Sequence, residues 1–334
     1  MAPTPAIPLP VRAFCLLSGG LDSQLAVCVL RDQDIEVHGV TFESPFFEAT
    51  RGRQAAERLG VPLLVVDFTA DILELVRHPP HGFGSHMNPC IDCHARMLRR
   101  AGDLMAEHGA RFLVTGEVLN ERPMSQNRRS LDIVETDSGY SGFVLRPLSA
   151  LLLPETEPER RGWIRRDGLL GLHGRGRSEQ FRLAAHYGLK DFPTPAGGCR
   201  LTEPNYARRL RDLRSHEELG DARALRLLRI GRHFRLGPAV KLVVGRQRGE
   251  NEALEEAAVE SDWLLKVEDV PGPSALLSAS AGEDQLLLAA SICLRYSDLP
   301  AGRNGRVTAG NRMGARTILT ARASDEAIAA VQIA

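Results

Sequence analysis

The sequence predicts an α/β protein: a doubly wound parallel sheet followed by a smaller α+β domain. Three observations predict it. Between Val11 and Val118, short apolar runs of strand length alternate with segments whose apolar positions recur at helical spacing. The first apolar run ends in a Gly-Gly turn, as a strand does when it feeds a helix. The texture then changes near residue 230, where a second set of strand-like runs begins. The chain has 334 residues, room for two or three domains at roughly 100–200 residues each.

Val11 to Leu17, bounded by Pro10 and Ser18, reads as a buried strand. Leu21, Leu25 and Val29 then carry a helix to about Asp32. Residues 35–42 read as a strand, 48–59 as a helix and 62–68 as a strand. A helix is expected over 90–108 and a strand over 111–118. The ligand site of such a sheet lies at the carboxyl ends of its strands, where Ser18 and Gly116-Glu117 fall. The expected organisation is a disordered lead-in over 1–10, a nucleotide domain over 11–150, an Arg-rich extension over 151–235 and a C-terminal domain over 236–334.

Composition excludes some classes. Hydrophobic residues make up 43% and charged residues 25%, so a core forms without disulfides or structural metals. The 42 basic and 42 acidic residues balance, which excludes a uniformly basic nucleic-acid binder but not a local basic surface. No apolar run approaches the roughly 18 residues of a membrane span; Leu286–Leu294 is the longest candidate. The start is Pro-rich and has no basic segment before an apolar stretch, so it is not a secretory signal. A cytoplasmic protein with no membrane partner is expected. Of six cysteines, Cys15, Cys28 and Cys293 sit in apolar runs and are expected to be buried and inert. Cys90, Cys93 and Cys199 sit among Pro, Gly and polar residues.

A strand, a Gly-rich turn and a helix aim backbone N–H groups at one point, where a phosphate fits. The turn here is Ser18-Gly19-Gly20-Leu21-Asp22-Ser23. It resembles the SGGxDS signature of the PP-loop ATP pyrophosphatase superfamily. The resemblance implies a Rossmann-like sheet of the adenine nucleotide alpha hydrolase type and transfer of AMP from ATP to an oxygen. It implies Ser18, Gly19, Gly20, Asp22 and Ser23 at the pyrophosphate; Gly116 and Glu117, at the carboxyl end of their strand, are expected to bind the nucleotide as well. Asp22 adds negative charge beside phosphates, so it suits Mg²⁺ or the attacking group.

Asn88-Pro89 precedes the helix carrying Cys90 and Cys93, which lie three apart on one face. The positive helix end is expected to favour thiolate. Cys199 follows Pro195-Ala196-Gly197-Gly198, a turn suited to presenting a thiol. Asn88-Pro89-Cys90-Ile91-Asp92-Cys93 resembles the "NP…C" segment of tRNA 2-thiouridylases. That match makes Cys93 and Cys199 the candidate functional cysteines, and Cys90 stands where those enzymes usually have Asp. Thr115-Gly116-Glu117-Val118-Leu119, Ser125-Gln126 and Leu145-Arg146-Pro147-Leu148 resemble the catalytic domain of tRNA 4-thiouridine synthases, with Asn120-Glu121 replacing the usual Gly-Gln. The resemblance covers about residues 11–215. Three cysteines with one CxxC also resemble the cluster-dependent tRNA thiolases, where three thiolates hold a [4Fe–4S] cluster. Three readings stay open for Cys90, Cys93 and Cys199: the cluster, a persulfide relay, or zinc with His94. His94 points about 100° from Cys93 on a helix.

Residues 200–235 hold ten Arg and five acids, a surface that suits RNA phosphates or a solvated helix. From about residue 236, Val244-Gly245-Arg246, Asn251, Leu254, Asp262-Trp263 and Val270-Pro271-Gly272 resemble the RNA-binding domain of NFACT proteins. Residues 236–334 nonetheless carry ten basic and thirteen acidic residues, and Leu264 follows Trp263 where that family has a Phe/His pair. Docking or dimerisation is the alternative to RNA binding there.

The leading expectation is an ATP-dependent tRNA sulfurtransferase, with ATP, Mg²⁺ and a [4Fe–4S] cluster as cofactors. Its partners would be tRNA and a sulfur donor, either a cysteine desulfurase, a carrier or sulfide. The catalytic candidates are Asp22, Cys93 and Cys199. The rivals are a PP-loop enzyme acting on a small metabolite and a non-catalytic, nucleotide-dependent RNA-binding protein.

Overall fold

The computed structural model describes residues 10–192, 199–217 and 219–333. Nearly all of the expected lead-in, and the turn Pro195–Gly198, lie outside the described residues. The chain forms two compact units, Met1–Arg200 and Leu201–Ala334.

The first unit alternates strand and helix. Its elements are β1 (Arg12–Leu16), α1 (Leu21–Arg31), β2 (Glu36–Glu43), α2 (Thr50–Leu59), β3 (Leu63–Asp67), α3 (Thr69–Arg77), α4 (Cys90–Asp103), β4 (Phe112–Val114), α5 (Arg128–Ser138), β5 (Val144–Leu145), α6 (Glu157–Arg160) and α7 (Ser178–His186). The five strands pair in the order β3-β2-β1-β4-β5, and every pairing is parallel. Parallel strands must be covered on both faces, and the apolar strands and α1 supply that core through Ala13, Cys15, Leu25, Val29, Phe112 and Val114. The strand order reverses at β1. The crevice outside β1 and β4 is therefore the switch point where such folds take ligands.

Helices α3 and α5 were not anticipated from the sequence. The expected strand over 111–118 is shorter, because the chain leaves the sheet after Val114 to pack on α1. A Cβ on Gly116 would lie 2.4 Å from the Ser23 amide nitrogen, so only glycine allows that approach.

The second unit contains α8 (Pro204–His216), α9 (Ala222–Leu227), β6 (Arg232–Gly237), β7 (Val240–Val244), α10 (Arg248–Ala257), β8 (Trp263–Val267), β9 (Ser274–Leu277), α11 (Glu283–Arg295), β10 (Asn304–Asn311), β11 (Gly314–Ala321) and α12 (Asp325–Val331). Six antiparallel strands pair in the order β11-β10-β8-β9-β7-β6. Leu286–Leu294 lies inside α11, whose Leu286, Ala289, Ala290, Ile292, Cys293 and Leu294 pack into the core of this sheet. Among the described residues no helix is long and apolar enough to cross a membrane.

Candidate active site

The turn after β1 is shaped by its own side chains. Gly19 has φ +80°, and a Cβ there would lie 2.4 Å from the carbonyl oxygen of Arg51. Gly20 is the N-cap of α1 and offers no side chain to cover the first N–H groups of the helix. Ser23 Oγ donates to the Gly20 carbonyl at 2.8 Å, and Ser18 Oγ lies 3.4 Å from Ser23 Oγ. Gln24 Nε2, buried beneath, donates to the Gly19 carbonyl at 3.0 Å. The result is a fixed concave loop at a helix N-terminus, a geometry that accepts phosphate.

The facing wall is Thr115-Gly116-Glu117, delivered by β4. Glu117 is buried and both of its carboxylate oxygens are engaged. Arg146 Nε donates to its Oε2 at 3.0 Å, Thr115 Oγ1 donates to the same oxygen at 3.0 Å, and His94 Nδ1 lies 3.2 Å from Oε1. Burial alone would raise the Glu117 carboxyl, but the charge of Arg146 and the hydrogen bond and charge of His94 bring it down to about 2. Arg146 also bonds Glu135 on α5 through Nη1 at 2.8 Å.

Beyond this wall, Asn120 takes φ +63°. That left-handed backbone suits Gly or Asn, so the Asn that replaces the usual Gly keeps the turn possible. The next residue, Glu121, lies on the Asp22 side of the site. An isolated bridge between Leu119 and His173, with Gly174 N donating to the Leu119 carbonyl at 2.7 Å, brings the segment before α7 alongside. Arg177 thereby reaches the phosphate loop, with Nη2 3.2 Å from Asp22 Oδ1.

The thiols gather on the α4 side. Cys93 is 7% exposed and Cys90 half-buried, and none of the cysteines is in a disulfide. The expected thiolate bias of the helix end is overturned. Burial raises Cys90, against the charge of Arg122 and a hydrogen bond from the Asn88 side chain. Burial raises Cys93 well above the ordinary thiol value, followed by the charges of Cys199, Cys90 and Asp92. Desolvation outweighs the helix end, which acts only at its margin. The charges of Cys199 and of Cys90 both act on Cys93, so each of those thiols lies within electrostatic reach of it. Among the described residues no group of three or more His, Cys, Asp or Glu side chains already converges as a metal-ligand set. His94 turns away to Glu117, as its helical position requires. Between the two cysteines, buried Asp92 accepts from the backbone N–H of His81, and its Oδ1 lies 2.7 Å from His81 Nδ1, which pins the start of α4. Cys15, Cys28 and Cys293 are buried, with burial raising them to about 12, 11 and 12.

Phosphate loop and thiols are thus connected: Ser23 packs on Gly116, Glu117 bonds His94, and His94 follows Cys93. Comparison with known proteins decides what this pairing resembles. Residues 11–152 match the family model described as thiamine biosynthesis protein (ThiI). The first unit resembles the PP-loop tRNA thiolation enzymes. A tRNA-specific 2-thiouridylase MnmA of Rhodopseudomonas palustris (strain HaA2) is 28% identical over 190 residues, covering 48% of this chain and 47% of that one. The MnmA of Brucella suis (strain ATCC 23445 / NCTC 10510) is 28% identical over 162 residues, 42% of this chain and 40% of that one. The chain therefore spans less than half the length of these curated relatives. A solved 4-thiouridine synthetase–RNA complex with bound ATP is 25% identical with a TM-score of 0.33, covering 38% of this chain and 34% of that one. Residues 231–330 match the family model for the NFACT protein RNA binding domain.

Three participants escaped sequence reasoning. Arg177 stood in the Arg-rich stretch with nothing to separate it from its neighbours. Glu121 was visible as a departure from the 4-thiouridine synthase string, and Arg146 as part of Leu145-Arg146-Pro147-Leu148, but neither had an assigned partner.

Proposed function

We propose that the chain is an ATP-dependent tRNA sulfurtransferase. The observation that carries this reading is the short path of contacts from the phosphate loop, through Gly116, Glu117 and His94, to Cys93. One crevice thereby serves both a nucleotide and a sulfur site. The ATP pyrophosphate would sit on Ser18, Gly19, Gly20 and Ser23, with Asp22 facing Mg²⁺. Gly116 and Glu117 would form the opposite wall, the Glu117 carboxylate holding that wall in place rather than meeting ATP.

A base carbonyl oxygen of tRNA attacks the α-phosphorus, an O–P bond forms, and pyrophosphate leaves. Sulfide (HS⁻) from the donor then bonds to the base carbon, the C–O bond breaks, AMP leaves with the oxygen and the sulfur's proton goes to solvent. If the sulfur instead arrives as a Cys93 persulfide, the Cys199 thiolate cleaves its S–S bond and leaves a Cys93–Cys199 disulfide. The target base must be unstacked to reach such a crevice. A tRNA-modifying reaction of this kind belongs to the cytoplasm, where tRNA and ATP meet.

Cys90, Cys93 and Cys199 would be the sulfur site. The donor chemistry suits a [4Fe–4S] cluster: Cys90 and Cys93 stand one helical turn apart at the start of α4, and Cys199 lies within electrostatic reach of Cys93. Bound through three thiolates, the cluster would supply one iron free of protein ligands. A single zinc ion would need every sulfur within about 2.3 Å of one point; for zinc and cluster alike the three sulfurs would have to draw together, since no converged set stands among the described residues. The second reading, a persulfide relay between Cys93 and Cys199, draws on the same absence of a converged set.

The test is release of AMP and pyrophosphate from ATP by the purified protein, with and without tRNA, joined to mass spectrometry of tRNA nucleosides from a deletion strain. A thionucleoside missing from the deletion strain is expected. Turnover that ignores tRNA would favour the small-metabolite rival. Binding of tRNA and ATP with no AMP formed would favour the non-catalytic one.

A further inference from the structure

Arg177 is an under-bonded, nearly buried cation of the first unit. Its side chain is 11% exposed. Nη2 lies 3.2 and 3.3 Å from the two carboxylate oxygens of Asp22, and Nε lies 3.5 Å from Glu121 Oε1. Nε and Nη1 are nevertheless buried without an aligned hydrogen bond, and so is Glu121 Oε2. Gln180 approaches Glu121, yet its Nε2 is likewise buried and unaligned. A guanidinium has five N–H donors in a fixed fork. Here that fork is poorly matched to what surrounds it.

We infer that Arg177 is a nucleotide-phosphate ligand held in reserve by Asp22 and Glu121, and that triphosphate binding draws it off those carboxylates, which then take a divalent cation. The inference rests on the ATP-site reading above and adds a residue and an exchange to it.

Position supports the assignment first. Asp22 is in the first turn of α1, immediately after the glycines of the loop, so a group bonded to Asp22 is within a side-chain movement of a phosphate seated there. The Leu119–His173 bridge and the Gly174–Leu119 hydrogen bond fix the backbone that delivers Arg177, and the Phe181 ring lies 5.6 Å from its guanidinium carbon. The residue has an anchored base and a head that remains under-bonded.

Charge supports the exchange. Asp22 and Glu121 carry two negative charges, and Arg177 is the cation bonded to Asp22, with the charge of Arg122 also acting on Glu121. A triphosphate entering beside two carboxylates is repelled unless a divalent cation screens them. Once it does, Arg177 has no reason to stay on Asp22. A phosphate offers its fork the paired oxygens it lacks. Burial and the nearby charge of Asp22 raise the Glu121 carboxyl, against the charges of Arg177 and Arg122. A purely architectural ion pair is a poorer account, since it leaves buried donors and a carboxylate oxygen unsatisfied, which folded proteins avoid.

The test is equilibrium binding of ATP and of adenosine, each with and without Mg²⁺, to wild type, R177Q, R177K and D22N. Without Mg²⁺, R177Q is expected to weaken ATP by about ten- to a hundredfold and adenosine by less than about twofold, with R177K between wild type and R177Q. D22N is expected to tighten Mg²⁺-free ATP binding, because the competitor for Arg177 is gone, and to lose the gain from Mg²⁺. Equal ATP binding by R177Q and wild type would overturn the inference. So would equal losses of ATP and adenosine with a lowered melting temperature, which mark an architectural role. Weaker Mg²⁺-free binding by D22N would overturn the exchange even if R177Q failed to fold. Wild type that binds no ATP would instead bring down the ATP-site reading, and this inference with it.

Discussion

Arg146 Nε meets Glu117 Oε2 at 3.0 Å, with both side chains nearly closed to solvent. The pair ties β4 to the start of the segment after β5, and through Glu135 to α5. Its electrostatics set an acid limit. Glu117 is depressed from 4.5 to about 2 in the fold. A depressed acid contributes stability that is complete above its unfolded value and is lost as pH falls through the window down to the folded one. That window here is pH 4.5 to 2, and the contribution is on the order of 3 kcal/mol. Chemical denaturation across it should show wild type losing stability steeply and E117Q following a flatter course from a lower start at neutral pH. Parallel curves would remove Glu117 from the acid response. R146M leaves the buried Glu117 carboxylate without its arginine, held only by Thr115 and His94, and should cost about 3 kcal/mol at neutral pH.

The contact between Gly116 and Ser23 is backbone against backbone, so it has no flexible end to yield. An added methyl would meet the Ser23 nitrogen at 2.4 Å and the Asp22 carbonyl oxygen at 2.6 Å. G116A should lose about 1–3 kcal/mol and weaken ATP by more than about tenfold, because the wall and the loop must separate. Gly176 has nothing within 4 Å of its missing Cβ, so G176A is the matched control. Unchanged nucleotide binding by G116A would mean the loop takes its shape without this wall.

The proposed sulfur site makes a spectroscopic prediction. Anaerobically purified protein should be brown, with the broad visible absorption of thiolate-bound iron. Alanine at Cys90, Cys93 or Cys199 should bleach it, while alanine at Cys15, Cys28 or Cys293, which are buried in the hydrophobic cores, should not. Anaerobic reconstitution that leaves the protein colourless with one equivalent of zinc bound would move the site to zinc. Activity with a persulfide donor in the absence of either metal would move it to the relay.

Local signals in the chain were sufficient for the first strands and for the turn that follows β1. Apolar runs located β1, β2 and β3, and the Ser-Gly-Gly turn located the loop, because each depends on residues adjacent in sequence. What local order could not supply was pairing. Arg177 meets Asp22 across 155 positions, and nothing near Arg177 distinguishes it from Arg175. The thiol expectation failed for a related reason. A helix N-terminus can be read from Asn88-Pro89, but the burial that raises Cys93 comes from distant segments, and burial is the larger effect. Asn120 shows the reverse. It looked like a departure until its positive φ made it an equivalent of glycine.

The second unit carries a family resemblance to an RNA-binding domain, but its charges argue for a small role in tRNA affinity. Phosphate binding needs cations whose counterions can be released. Over residues 236–334, Lys241, Arg246, Arg248, Lys266, Arg295, Arg306 and Arg316 each sit against a carboxylate. Arg322 donates to the carbonyls of Leu299 and Arg295. Arg303 and Arg312 are exposed and have no acidic partner among the described residues. These two are the cations of that region best placed to meet phosphate. Full use of both would add roughly two to the magnitude of the slope of log affinity against log salt. R303E/R312E should change that slope by less than about one and tRNA affinity by less than about threefold, because the surrounding field is net acidic. A drop of tenfold or more, with the slope falling by about two, would make this hairpin region an RNA-contacting surface after all.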